Sequence, residues 1–168
     1  MTVSTTTTAP ADLDADLLLL PFTKEPAAPL VEALADTLGA AIDRAARDFA
    51  GEAGDVRVAY PEHTNAERVA LVGLGPAADL DAEALRTGAA GGSDAAREHE
   101  ADTVACLLPE NGGLDDDTVA QGLVEGFLLG AYDYRRYKTA DGFPGPSSFV
   151  LHVGEDRETS LVKLHDKL

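Results

Sequence analysis

A hydrolytic metal centre needs several His, Asp, Glu or Cys side chains converging on one point. His63, His99, His152 and His165 fall in separate segments, and no His-Glu-x-x-His motif is present. Glu98-His99-Glu100 is the one local cluster, and it reads as the solvated end of a helix. Nucleophilic chemistry fares no better. There is no Gly-x-Ser-x-Gly elbow, and Ser93 stands in a Gly-Gly-Ser-Asp stretch that implies no partner. Cys106, the only cysteine, lies in the apolar run Thr103-Val-Ala-Cys-Leu-Leu108 without a basic neighbour. It reads as an inert core filler. Asp115, Asp116 and Asp117 are adjacent where a helix should start, and carboxylates there suit the helix dipole. Asp12, Asp14 and Asp16 read as solvation near the N-terminus. These residues assign no catalytic group and no metal site.

Two stretches suit binding instead. Val72-Gly-Leu-Gly-Pro76 follows a strand pattern and precedes a helix pattern, so amides around Gly73 and Gly75 could cradle an anion. The stretch lacks the third glycine of a dinucleotide fingerprint and the Gly-Lys-Ser/Thr of a triphosphate loop, so a plain tight turn is the competing reading. Tyr132, Tyr134, Arg135, Arg136, Tyr137 and Lys138 form the one aromatic and basic cluster. It could stack on nucleic acid. It could equally pack at a domain or subunit boundary, where Tyr and Arg commonly anchor contacts.

Charge decides between those two. Thirty acids against 13 Lys plus Arg give −17, and such a surface repels phosphate backbones and anionic membranes. No nucleic-acid or membrane partner is expected, and the cluster reads as an interface. Few of the basic residues are lysines, which points to adaptation to a salt-rich cytoplasm where counterions screen the carboxylates. A single cysteine fits a reducing compartment. The Leu17–Leu20 run is far too short to span a bilayer, so a soluble, cytoplasmic protein is expected.

The elements that must position these residues alternate along the chain. Met1 to Asp12, Thr-rich and polar, reads as a disordered tail. Residues 15–22 form a continuous apolar run closed by Pro21, a buried strand. Pro26 and Pro29 mark a turn. Leu30, Leu34, Leu38, Ile42, Ala45 and Phe49 then recur at helical spacing, predicting one long amphipathic helix with Gly51 as its C-cap. Strands are predicted at residues 55–60, 68–74, 102–108 and 148–153. Helices are predicted at 80–98 and from Asp115 to the basic cluster. Gly88, Gly91 and Gly92 inside the first of these helices predict close backbone packing or a local break. Glu158–Leu168 has Leu161, Leu164 and Leu168 on one helical face. Strands alternating with helices predict an α/β sheet with helices on both faces, closing as a three-layer α/β/α sandwich.

Several phrases occur together in a familiar order. Arg68-Val-Ala-Leu-Val-Gly-Leu-Gly75 is followed by Leu85-Arg86. Glu125-Gly126 then leads through Leu129-Gly130-Ala-Tyr132 to Tyr137-Lys138-Thr139. This sequence resembles the N-terminal domain of leucyl aminopeptidases, the cytosol aminopeptidase family, over residues 13–155. The resemblance implies a mixed, mostly parallel sheet similar to a macro domain, with 156–168 starting a linker helix. It also implies a non-catalytic role supporting assembly and access to a catalytic domain of the same polypeptide. That further domain would hold two divalent metals, zinc or manganese, and remove N-terminal amino acids from peptides in a hexamer or other homo-oligomer. The family's Asn-Thr-Asp-Ala-Glu-Gly-Arg signature is absent, so no catalytic residue and no cofactor carries over to this chain. The fold also implies an alternative, a stand-alone macro-like module binding ADP-ribose or a related phosphate ligand.

Overall fold

The computed structural model describes residues 1–24, 27–109, 112–137 and 142–154, and only the backbone of 27–30 and 133–137. The elements run β1 (Thr2–Thr6), β2 (Leu17–Phe22), α1 (Ala27–Leu38), α2 (Ala41–Arg47), β3 (Val56–Ala59) and β4 (Arg68–Gly73). They continue with α3 (Ala82–Glu98), β5 (Thr103–Leu107), α4 (Asp116–Tyr137) and β6 (Ser148–His152). The strands form one six-stranded sheet in the order β1-β6-β5-β2-β4-β3. Every pairing is parallel except β3 with β4. The sheet is therefore mixed and mostly parallel, as expected.

β2 explains why the sheet needs cover on both sides. All six of its residues are buried, and alternate side chains of a strand point to opposite faces. Leu17 and Leu19 join the core under α3 and α4, with Val72, Leu85, Leu123 and Phe127. Leu18, Leu20 and Phe22 join the core under α1 and α2, with Val31, Leu38 and Ile42. Phe127 stacks on Phe149 of β6 at 4.2 Å, fixing α4 over that strand. Phe22 meets Phe49 edge-on at 5.4 Å on the opposite face. Each such side chain, fully buried, contributes roughly 1.5–3 kcal/mol.

Four local readings of the sequence are corrected. Met1 to Asp12 is not a disordered tail: Thr2–Thr6 pairs with β6 from Thr2 opposite Ser148 to Thr6 opposite His152, so residues ahead of 13 take part in the sheet. The helix expected from Leu30 to Phe49 is two helices, because Gly39 takes a φ of +126° that ends α1. Pro29 lies in the first turn of α1, where its missing N–H costs no helical bond. Gly51 is not a helix cap: α2 ends at Arg47, and Gly51 turns the chain toward β3 with φ +75°. Glu158–Leu168 lies outside the described residues.

Candidate functional site

The glycine loop is built where three backbone segments cross. Gly73 N–H donates to the Asp55 carbonyl at 2.8 Å, Leu74 N–H to Phe22 at 3.1 Å and Gly75 N–H to Gly51 at 2.9 Å. Pro76 has no N–H to offer. The amides that could cradle an anion are thus already engaged with protein carbonyls. Glycine is required here for space: a Cβ on Gly73 would sit 2.1 Å from the Glu52 carbonyl oxygen. Gly75 holds φ +77°, the left-handed region. Lys24 lies beside the loop, but its ammonium pairs with Glu52.

The groups capable of chemistry are dispersed. Among the described residues, no three His, Cys, Asp or Glu side chains are placed to hold a metal ion. Cys106 is buried, its Sγ 3.5 Å from the Leu107 carbonyl, and burial raises its thiol pKa far above the usual range. Half-burial on β6 lowers the pKa of His152, favouring neutral imidazole. Asp115 caps α4: its carboxylate accepts from the Thr118 amide and hydroxyl, both at 2.8 Å, which lowers its pKa. His99 and Glu100 end α3, with Glu100 at φ +51°.

Residue signals that looked separate meet between α3 and α4. Gly122, Gly126 and Gly130 recur every four residues, one stripe along α4. A Cβ on Gly126 would lie 2.3 Å from the Arg86 carbonyl oxygen, and one on Gly122 would lie 2.9 Å from Leu85 Cβ. The helices touch backbone to backbone at Gly126 and backbone to side chain at Gly122 and Gly130. Beside it, Arg86 Nε donates to Glu125 at 2.9 Å, and Gln121 donates to the same carboxylate at 2.6 Å. Gly88 and Gly92 of α3 face the sheet, where a Cβ would strike Leu74 at 2.7 Å and Leu19 at 2.6 Å.

Past the stripe, α4 turns apolar side chains outward. Leu129 is 58% exposed and Tyr132 64% exposed. With Met1, Leu128 and Ala131 they line an open cleft of about 320 Å³ beside the start of β1. Tyr134, Arg135, Arg136 and Tyr137 continue the same helix, with Arg135 and Arg136 three and four positions beyond Tyr132. Lys138 lies outside the described residues. A second groove, of about 640 Å³, lies between α1 and α2 and is lined by Val31, Glu32, Ala35, Asp36, Asp43, Ala46 and Arg47. Arg47 there pairs with Asp43 at 3.0 Å. Sequence reasoning missed this groove because it read α1 and α2 as one helix. Among the described residues, no helix is long and apolar enough to cross a membrane.

Comparison with known proteins converges on one family. The model of the cytosol aminopeptidase family, N-terminal domain, matches residues 19–141. A probable cytosol aminopeptidase of Chlorobium luteolum is 40% identical over 148 residues, covering 83% of this chain and 28% of that protein. One from Roseiflexus castenholzii is 33% identical over 140 residues, covering 83% and 27%. The chain therefore spans little more than a quarter of the length of these relatives. Among solved structures, a tomato leucine aminopeptidase superposes with TM-score 0.75 at 21% identity, over 99% of this chain and 35% of that one. The macrodomain of Mycobacterium tuberculosis DarG gives 0.62 at 14% identity, over 89% of this chain and 97% of that one. These two likenesses establish a shared fold.

Proposed function

This chain belongs to the cytosol aminopeptidase family, as an N-terminal domain, and from that premise we propose that it is the non-catalytic partner of a metallo-aminopeptidase domain in the same cytoplasmic polypeptide. The observation that carries this reading is the outward apolar face of α4 at Leu129 and Tyr132; in the sequence the helix runs on from there through Arg135 and Arg136. Large exposed apolar side chains beside aromatic and arginine residues are the composition of a contact surface. We assign that face to the catalytic domain. There it supports assembly and shapes access of peptides to the active centre.

The metals belong to the catalytic domain. In this reading the hydrolysis belongs to that domain as well. A structural neighbour at 24% identity, the bottromycin maturation enzyme BotP, is known in complex with manganese, in keeping with metal dependence in the whole protein. The alternative of an ADP-ribose module rests on fold alone, and the engaged amides of Gly73, Leu74 and Gly75 tell against it.

The test has two parts. The isolated chain, given leucine p-nitroanilide with zinc or manganese, should show no turnover above the metal-only blank. Amide exchange across residues 128–137 should slow when the catalytic domain is present in the same polypeptide. Equal exchange rates in the isolated and full-length proteins would remove α4 as the contact.

A further inference from the structure

The sheet has an edge that nothing covers among the described residues. Thr2 N–H donates to the Ser147 carbonyl, and Val153 N–H donates to the Thr6 carbonyl. With the β1–β6 register, this fixes which way each residue of β1 faces: Thr2, Ser4 and Thr6 bond to β6. The N–H and C=O of Val3 and Thr5 point the other way, to the outside of the sheet. Such a row is a template for another strand. The opposite edge is blunted by charge: β3 carries Arg57, whose guanidinium bonds the Asp48 carbonyl at 3.3 Å. β1 has no such protection, since Thr2-Val-Ser-Thr-Thr6 contains neither charge nor proline.

We propose that β1 is a self-association edge, pairing antiparallel with β1 of a second copy across a two-fold axis at Ser4. The edge is self-complementary in that register. Val3 of one copy faces Thr5 of the other, and the pair exchanges both of its hydrogen bonds. Thr5 then faces Val3 in the same way, and the two Ser4 residues meet in the close, non-hydrogen-bonded position. Two sheets become one continuous sheet, which is an isologous contact. Charge selects the same place. At −17, two copies repel over most of their surfaces, whereas residues 1–11 carry no charged side chain. A second copy can approach there at the lowest electrostatic cost. The contact is made by the backbone of the strand edge and is read from self-association of this chain alone, so it does not depend on the function proposed above.

A contact of five residues a side is smaller than a standard interface, so the dimer should be weak and concentration-dependent. Sedimentation equilibrium of the whole chain should show monomer and dimer exchanging near about 10–100 µM, with the dimer strengthened as KCl screens the repulsion. Val3→Pro deletes an outward N–H and leaves the β6 ladder intact, so it should abolish the dimer while the chain stays folded, at a melting temperature lowered by the lost Val3 packing on the core. Ser4→Cys gives an independent readout, since Cys106 is buried. Two Ser4 Cα atoms about 4.5 Å apart in the close pair fall within disulfide reach. Mild oxidation should therefore link Ser4→Cys to itself. Thr2→Cys, on the same face but roughly 14 Å from its counterpart, should stay unlinked. A monomer up to about 100 µM, a dimer indifferent to Val3→Pro, or equal crosslinking at both cysteine positions would each overturn the proposal.

Discussion

Glu125 gives the fold a measurable dependence on acid. The Gln121 amide, first, and the Arg86 guanidinium, second, hold its carboxyl below the usual carboxylate range. A carboxyl depressed by folding adds stability above its unfolded value of about 4.3. That share is lost as pH falls through the lower folded value. The side chain is 34% exposed, so screening keeps the contribution below about 1 kcal/mol. Melting curves of wild type and Glu125→Gln should therefore differ most at neutral pH and converge as the pH falls below the depressed folded-state range of this carboxyl. A gap that stays constant on acidification would mean that the mutation acts through packing. The sequence made part of this scale legible. Asp115 is a cap, Cys106 is core, and the α3 glycines mark close approach, because each is a local signal. Asp16 was not legible and was read as solvation. Its carboxylate accepts from the Asp102 and Thr103 amides at 2.8 and 2.9 Å, pinning the start of β5 beside β2. No local pattern reports a partner 86 residues away.

At the scale of elements, the α3–α4 pair is the most exacting contact. Gly126→Ala places a methyl group 2.3 Å from the Arg86 carbonyl oxygen, a backbone atom that cannot step aside as a side chain would. Forcing the helices apart should cost about 1–3 kcal/mol, read as a lower denaturant midpoint. Gly154→Ala is the control, since nothing lies within 4 Å of its new methyl group. A Gly126→Ala protein as stable as that control would show that the helix pair tolerates wider spacing. The buried strands and long helices were legible because apolar periodicity reports burial directly. β1 was not: a half-exposed edge strand of threonine and serine carries no alternation for such a reading to find. The split of α1 from α2 was hidden by a continuous apolar stripe across Gly39. The stripe shows which side is buried and says nothing of the backbone angle between.

The whole molecule carries its charge as a cost. With 30 acids and 13 Lys plus Arg, separated carboxylates repel in the folded state. At about 1 M salt the screening length falls to roughly 3 Å. The melting temperature should accordingly rise between about 0.05 M and about 2 M KCl, and the rise should shrink near pH 4.5 as carboxylates protonate. A melting point flat or falling with KCl at neutral pH would remove salt adaptation as the reason for the acidity. The layered architecture was legible from alternating strands and helices, but the strand order was not. Periodicity states which residues are buried, never which strand lies next to which. That order also sets a timetable for synthesis. β2, β4 and β3 are neighbours in the sheet and leave the ribosome well before β6, so their part of the sheet can close early. β1 precedes every other described strand in the chain, yet its only neighbour among them is β6, ending at His152. This strand must therefore wait as an unpaired, uncharged β-former until nearly all the described chain has emerged. Over that interval it is the segment of the nascent chain most in need of a temporary partner.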